Sequence, residues 1–219
     1  MNRPSLYSMN IWAQWERGIL QILSEALPRL CDYVEQDYVE DDITTELCKL
    51  IKDIRFHNHQ ITFGTIIPQA QNQPSNALGK QENKTSLRKR PDLQWVFNDE
   101  HASTPERIQR CFVIECKCLS KSGEEKKYVE NGIRRFVLKD WEYGKNEESA
   151  IMIGYMKDGD ADERLCKINK YNDKYAYPLL IICPSVNEGV CRYSQKFETR
   201  EFEPKCFKLH HLWVNVSKQ

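Results

Sequence analysis

The sequence predicts an α/β protein in which a mixed central β-sheet is flanked by helices, with an added helix at the N terminus. Three observations predict this class. Several segments repeat apolar residues every three or four positions, as amphipathic helices do. Other, shorter segments are apolar or alternating, as strands are. Along the chain the order is helix, strands, helix, strand, helix, strands, which favours a mixed sheet covered by helices.

The first helix is predicted from about Ser8 to Leu30. Its apolar residues are three or four positions apart and are Ile11, Trp12, Trp15, Ile19, Ile22, Leu23, Leu27 and Leu30. Pro28 bends or ends this helix. Trp12 and Trp15 pack on the core or mark a surface for a partner, and packing on the core is the favoured interpretation. Residues 1–34 are therefore assigned to this element, with partner docking as its candidate role.

Residues 35–219 are assigned to the main domain, which begins with a second amphipathic helix. Its apolar face consists of Ile43, Leu47, Leu50, Ile51 and Ile54. Acidic residues crowd the first turn of this helix, where the helix dipole favours them.

The middle of the chain predicts three strands and a loop. The segment HQITFGTIIP from His59 is the first strand, and residues 69–86 form a polar loop that is expected to be mobile. Two further strands, RPDLQWVF from Arg90 and CFVIECKCL from Cys111, are separated by a polar turn.

The last part of the chain predicts two helices and four strands. One helix runs from about Glu124 to Trp141, and a short one covers ADERLCKINKY from Ala161. The strands are SAIMIGYM, YPLLIIC, CRYSQKFE and FKLHHLWVNV.

Composition and charge narrow the class of protein. The 219 residues include 32 Lys plus Arg and 32 Asp plus Glu, so the chain is formally neutral. Neutrality argues against binding nucleic acid over the whole surface, although a local basic patch is compatible with it. Nine cysteines without a disulfide or zinc-binding spacing predict a reducing compartment. Since no signal peptide or membrane span is visible, we predict a soluble, cytoplasmic protein without a membrane partner.

Two charged residues stand inside an apolar strand. Alternation places Val113, Glu115 and Lys117 on one face of CFVIECKCL, and buried charges are costly unless they are paired or bind a metal. A structural salt bridge between Glu115 and Lys117 is one explanation. If the strand pairs with RPDLQWVF as a hairpin, Asp92 lies beside Glu115. Two adjacent carboxylates favour a cation such as Mg2+ between them.

The residues Pro91, Asp92, Glu115 and Lys117 form a Pro-Asp … Glu-x-Lys pattern. This pattern resembles the PD-(D/E)xK nuclease superfamily, which has the restriction-endonuclease-like fold. The resemblance implies that Asp92 and Glu115 are metal ligands, with the backbone carbonyl of Cys116 as another. It implies that Lys117 activates the attacking water, and that the cofactor is Mg2+ or Mn2+.

Context selects this motif among several similar ones. Glu-x-Lys also occurs at Glu82/Lys84, Glu124/Lys126, Glu125/Lys127 and Glu203/Lys205, but in polar segments. Only Glu115/Lys117 lies in an apolar strand that follows a Pro-Asp and precedes a helix.

Members of the superfamily often add an acid from the helix before the sheet. Of the acids in the second helix, Glu40 is closest to the centre of the apolar face, ahead of Glu46 and Asp42. The segment EDDITTEL from Glu40 also resembles the start of that helix in the family. Glu40 is therefore expected to be a further catalytic residue and metal ligand, with Glu46 in reserve. A helix-capping role for Glu40 is the alternative.

Basic residues suggest where nucleic acid binds. Arg88, Lys89 and Arg90 lead directly to Asp92 and would contact a phosphate backbone without reading bases. Arg135 and Lys139 share a helical strip with Tyr128 and Gly132, and could hold a phosphate or stabilise developing charge. Ordinary solvated charges are the alternative for both groups.

The resemblance implies a metal-dependent nuclease, and it favours DNA over RNA as the substrate because the superfamily is mostly DNA-directed. The segments GIRRFVLKDWEYG, SAIMIGYMKDG and FKLHHLWVNV resemble small stand-alone nucleases of prokaryotic anti-phage defence systems. The chain has no visible reader module, so we expect a partner such as a helicase, ATPase or sensor, and a homodimer remains open. A catalytically silent scaffold or nucleic-acid-binding subunit is the alternative. His210 and His211 are expected to be structural, with one facing the core.

Overall fold

The computed structural model describes residues 6–57, 64–69, 90–98, 109–184 and 187–217. Four α-helices within these ranges are α1 Leu6–Arg29, α2 Glu40–His57, α3 Glu124–Glu130 and α4 Ala161–Lys174. Seven strands are β1 Thr65–Pro68, β2 Leu93–Asn98, β3 Gln109–Cys118, β4 Ser149–Met156, β5 Ile181–Cys183, β6 Val190–Phe197 and β7 Phe207–Asn215. The predicted α/β class, with a mixed sheet, flanking helices and an N-terminal helix, is confirmed. Apart from Gln69, the predicted loop at 69–86 lies outside the described residues.

The seven strands form one sheet in the order β1-β2-β3-β4-β7-β6-β5. Strands β1, β2 and β3 are antiparallel neighbours, whereas β3, β4 and β7 run parallel to one another. The carboxyl ends of these three central strands therefore lie at the same edge of the sheet. In open α/β sheets, this is the edge outside which ligands bind.

Helices α1 and α2 cover one face of the sheet. Phe112, Ile114 and Cys116 of β3 are buried in the core beneath them. Trp12 of α1 is buried and stacks on Phe112 with ring centroids 5.4 Å apart. Trp15 stacks on Phe97 at 4.3 Å. Both tryptophans thus pack on the core, as favoured, and a docking role for residues 1–34 would have to rest on other side chains.

Helix α1 ends at Arg29, directly after Pro28, in agreement with the effect predicted for that proline. None of the helices in the described parts of the chain combines the length and apolar character that crossing a membrane requires.

Helices α3 and α4 cover the opposite face, and here one prediction is wrong. The helix expected from Glu124 to Trp141 ends at Glu130, and a short 3-10 turn, Ile133–Phe136, follows. Gly132 lies between the two segments so close to Met152 and to the Tyr128 carbonyl that any side chain would overlap them. The chain thus leaves the helix to pass tightly over β4.

Both histidines of β7 are buried, on opposite faces of the sheet. The expected core histidine is thus confirmed, and the second histidine is buried as well. The His211 Nδ1 is 2.9 Å from the Tyr128 hydroxyl, and His210 contacts Glu16 of α1. Burial lowers the pKa of His211 to about 3, so its imidazole is neutral. Alternation separates polar from apolar faces only where one face is solvated, and both faces of β7 are covered.

Candidate active site

The candidate site begins where β3 extends beyond its neighbour β2. The last pair of residues is Leu93 opposite Ile114, and β3 continues to Cys118. The free backbone amides of this extension are bound by carboxylates from two other elements. Asp92 Oδ2 accepts the Cys116 N–H at 2.7 Å, and Glu40 Oε2 accepts the Cys118 N–H at 2.9 Å.

The Lys117 ammonium lies at the centre of these groups. Its Nζ is 2.7 Å from Glu40 Oε1, 3.0 Å from Glu115 Oε1 and 3.6 Å from Asp92 Oδ2. It also donates to the Cys116 carbonyl. The four groups predicted from the sequence to be metal ligands therefore all surround one cation. We call Glu40, Asp92 and Glu115, together with Lys117, the carboxylate cluster.

Arg135 is the second cation at the carboxylate cluster. Its guanidinium pairs with Glu115 Oε1 and lies 4.3 Å from the centre of the Trp141 ring. Three carboxylates thus face two cations, Lys117 and Arg135. If all five groups are ionised, the cluster retains an excess of one negative charge.

Glu115 is the most deeply buried acid of the cluster. Its side chain is fully shielded from solvent, and burial raises its pKa to about 7. The attraction of Lys117 and Arg135 lowers the pKa, and the repulsion of Asp92 raises it, but burial is the largest cause. Glu115 Oε2 has no hydrogen-bond partner within the described residues. At neutral pH this carboxyl is therefore close to its midpoint of ionisation.

For the pKa of Lys117, the neighbouring charges outweigh burial. Burial by itself would lower its pKa, but the carboxylates of Glu115, Asp92 and Glu40 outweigh burial and raise it. In this arrangement the ammonium keeps its proton and can only donate hydrogen bonds. Deprotonation would require another cation to balance the three carboxylates.

Helix α2 contributes one acid to the site. Glu40, its first residue, contacts both Lys117 and the β3 backbone. Glu46 instead pairs with Lys49 at 2.7 Å, and Asp42 accepts the Val39 N–H at 3.0 Å. Of the three acids of α2 that the sequence offered as candidates, Glu40, Asp42 and Glu46, Glu40 is the one that contacts Lys117.

The donor set of the cluster fits a divalent metal that prefers oxygen. Three carboxylates and a backbone carbonyl are the ligands that Mg2+ and Mn2+ take, and one Glu115 oxygen has no other partner. In the described parts of the chain, no three His, Cys, Asp or Glu side chains are grouped so as to hold an ion as they stand. The Lys117 ammonium lies between the acids, so an ion would have to take its place.

Two thiols lie near the same site. Burial raises the pKa of Cys116 well above its usual value, and burial together with Glu40 raises that of Cys118 to about 11. In this arrangement both sulfurs are therefore protonated thiols at neutral pH.

Of the residues predicted to bind nucleic acid, the structure describes Arg90, Arg135 and Lys139. Arg88 and Lys89 lie outside the described residues, and Arg90 is exposed. Arg135 turns inward to Glu115, and Lys139 is exposed, with its backbone N–H bound to Glu201 at 2.7 Å. The prediction that Tyr128, Gly132, Arg135 and Lys139 form one strip along a helix is wrong. Helix α3 ends before Arg135, and Tyr128 is fully buried.

A cleft of about 680 Å³ opens beside the carboxylate cluster, and sequence reasoning missed most of its basic residues. Lys121, Lys127 and Lys157 line it together with Glu40 and Lys117. Lys121 lies in the loop after β3, Lys127 in α3, and Lys157 directly after β4. No local sequence pattern links them, because only the tertiary structure brings them together.

Comparisons with protein-family models, with curated proteins and with solved structures found no match to this chain.

Proposed function

We propose that the protein is a metal-dependent endonuclease of the PD-(D/E)xK type that hydrolyses phosphodiester bonds, with DNA as the favoured substrate. The observation that carries this proposal is the convergence of Glu40, Asp92, Glu115 and the Cys116 carbonyl on one cation. Glu40 comes from α2, Asp92 precedes β2, and Glu115 and Cys116 belong to β3, as the resemblance of the Pro-Asp and Glu-x-Lys motifs implies.

In this proposal Glu40, Asp92, Glu115 and the Cys116 carbonyl hold Mg2+ or Mn2+. The bound ion would supply a nucleophilic water at neutral pH and offset charge on the phosphodiester oxygens. The β3 amides orient Asp92 and Glu40, since each donates a hydrogen bond to one of these carboxylates. Such fixed orientation is what a site needs to hold reacting groups in place.

Lys117 and Arg135 would supply positive charge next to the ion. With its ammonium displaced by the ion, Lys117 is still a hydrogen-bond donor that can orient a water or phosphate oxygen. Arg135 is held by Glu115 and by the Trp141 ring, which limits its motion. A fixed cation of this kind stabilises charge that develops in a transition state.

A catalytically silent scaffold or nucleic-acid-binding subunit is the second candidate. The observation that favours this candidate is that Asp92 and Glu40 accept hydrogen bonds from backbone amides of β3, which is a structural role. Glu115 and Lys117 also form the ion pair that a purely structural explanation expects. Structural roles alone do not account for three carboxylates gathered around two cations.

We further propose that the protein is the cytoplasmic effector subunit of a prokaryotic anti-phage defence complex. The resemblance of GIRRFVLKDWEYG and SAIMIGYM to small defence nucleases supports this setting. A helicase, ATPase or sensor would then provide recognition and restrain the nuclease. A homodimer that cuts both strands is the other assembly to test.

Cleavage assays test the nuclease directly. The purified protein, alone and with candidate partners, is incubated with DNA or RNA and with Mg2+, Mn2+ or EDTA. We expect cleavage that requires the metal and falls by about a hundredfold or more in Lys117→Ala and in Asp92→Asn. Far-UV circular dichroism and urea unfolding verify that the variants are folded.

Lys126→Ala is the matched control. Lys126 also belongs to a Glu-x-Lys triplet, but it lies on the exposed side of α3, where it pairs with Glu130 at 3.8 Å. This variant should cleave like the wild type. If no condition gives metal-dependent cleavage, or if Lys117→Ala is as active as the wild type, the nuclease proposal is wrong and the scaffold is favoured.

A further inference from the structure

We propose that the cleft beside the carboxylate cluster binds the phosphodiester backbone of the substrate, and that Lys121 and Lys127 contact its phosphates. This inference rests on the proposed function, because it names the residues that hold the polymer next to the cluster. It adds Lys121 and Lys127, which the fold places in one cleft with the predicted Arg135, to the basic residues predicted from the sequence.

The position of the cleft is the first argument. It lies at the carboxyl ends of the parallel strands β3 and β4, between the loop that precedes α2 and the helix α3. Residues 36–39 form one wall, and Lys127 and Asn131 belong to the other. Lys117 and Glu40 line the same cleft, so a chain bound in it passes directly over the carboxylate cluster.

The charge of the lining is the second argument. Five cationic residues line the cleft, namely Lys117, Lys121, Lys127, Arg135 and Lys157. Three acidic residues, Asp37, Glu40 and Glu124, oppose them. Lys117, Arg135 and Glu40 are already paired within the carboxylate cluster. The remaining charged lining, Lys121, Lys127 and Lys157 against Asp37 and Glu124, is positive by one charge in a chain whose formal net charge is zero. Concentrated positive charge in a concave surface attracts a polyanion more strongly than the same charge spread over a convex one.

Two of these acids are already engaged. Glu40 binds Lys117, and Glu124 accepts the backbone N–H groups of Ser120 and Lys121, the latter at 2.8 Å. The Glu124 carboxylate therefore binds the backbone of the loop after β3, and within the described residues it forms no ion pair with a lysine of the cleft.

The pairing state of the lysines is the third argument. Lys121 and Lys127 are exposed, and within the described chain neither ammonium has a carboxylate in ion-pairing range. Lys126, the neighbour of Lys127, points elsewhere on α3 and pairs with Glu130. The ammonium groups of Lys121 and Lys127 are thus available to a phosphate without first leaving a protein partner.

Lys157 has a different role. Its ammonium donates to the carbonyls of Gln36, at 3.2 Å, and of Tyr38. These bonds tie the loop before α2 to the end of β4 and fix one wall of the cleft. Lys157 is therefore a positioning residue, and the binding test relies on Lys121 and Lys127 instead.

Binding without catalysis separates this inference from the nuclease. Fluorescence anisotropy in EDTA measures the affinity for short labelled single-stranded DNA, duplex DNA and single-stranded RNA of one sequence. We expect the Lys121→Ala/Lys127→Ala double variant to bind roughly tenfold more weakly at about 0.1 M salt. The slope of log K against log salt should fall by about 2, one for each lost phosphate contact.

Lys126→Ala is again the control and should keep the affinity and salt slope of the wild type. The inference is overturned if the double variant binds like the wild type with the same slope, or if the wild type binds none of the three probes. Binding that depends on Lys121 and Lys127, in a protein that never cleaves, would support the cleft and reject the nuclease. Cleavage that is unchanged in the double variant, together with unchanged binding, would reject the cleft alone.

Discussion

The two ends of strand β3 hold buried charges in opposite ways. At the amino end, Arg110 Nε and Nη2 both donate to Glu147 Oε2, at 2.9 and 2.7 Å. The Cys111 N–H binds the other oxygen at 3.3 Å, and Trp12 covers the guanidinium at 4.2 Å. At the carboxyl end, three carboxylates gather around Lys117 and Arg135. Only this end has a carboxyl oxygen without a partner, that of Glu115, within the described chain.

This difference separates a structural ion pair from a candidate functional one. The amino end is matched in charge and closed by an aromatic ring, which is how a fold stabilises a buried pair. The carboxyl end has surplus negative charge and opens on a cleft. One strand can therefore contain both a structural ion pair and a candidate functional cluster. The balance of charge and the accessibility to solvent distinguish the two better than burial does.

The largest expected effect on stability is at the amino end. Glu147→Ala leaves the Arg110 guanidinium buried without its partner, so we expect a loss of about 3–5 kcal/mol in the free energy of unfolding. Glu115→Gln should change the free energy of unfolding by only about 1 kcal/mol at neutral pH. Lys117 would still pair with Glu40 and Asp92, and the Arg135 side chain is partly exposed to solvent. Urea unfolding measures both.

Replacing both members of the amino-end pair is the control. Arg110→Met combined with Glu147→Met removes the uncompensated charge and should recover most of the loss. Equal destabilisation by Glu147→Ala and Glu115→Gln would mean that the two ends of β3 are energetically alike, contrary to the comparison.

An intermediate effect is expected from pH. The pKa of Glu115 is raised by burial from 4.5 to about 7, so the folded state binds this proton more tightly than the unfolded state. The resulting stabilisation is present below about pH 4.5 and is lost as the pH rises through about 7. For this group alone it amounts to at most about 3 kcal/mol.

Urea unfolding of the wild type and of Glu115→Gln across this range measures the effect. The stability of the wild type relative to the variant should fall as the pH rises, because the variant has no proton to lose at this position. If the difference in unfolding free energy between the two proteins does not change with pH, burial does not raise the pKa of Glu115.

The smallest expected effect concerns the acids of α2. Glu46→Gln removes an exposed pair with Lys49 and should change the free energy of unfolding by less than about 0.5 kcal/mol, with no change in cleavage. Glu40→Gln weakens the contacts with Lys117 and Cys118 and should reduce cleavage strongly. Loss of cleavage in Glu46→Gln with normal cleavage in Glu40→Gln would reverse the assignment.

Much of the candidate site could be predicted because its residues are set by local periodicity. Alternation placed Glu115 and Lys117 together, the hairpin placed Asp92 near them, and the helical wheel favoured Glu40 over Glu46. These arguments use strand pairing and one helical face, and the resemblance to the nuclease superfamily implied that an acid of the second helix completes the site.

What could not be predicted depends on contacts between distant elements. The end of α3 follows from the close passage of Gly132 over β4, and this redirects Arg135 towards Glu115. The lysines of the cleft become neighbours only when β3, α3 and β4 are assembled. The burial of both histidines likewise required knowing that helices cover both faces of β7.

The most direct test is a calorimetric titration with Mn2+, performed above the pKa of Glu115 so that this carboxyl is ionised. We predict saturable binding to the wild type and to Glu46→Gln, and an affinity at least about tenfold lower in Asp92→Asn and Glu115→Gln. If Mn2+ does not bind, or binds equally to all four proteins, the carboxyl end of β3 is a structural ion cluster like its amino end.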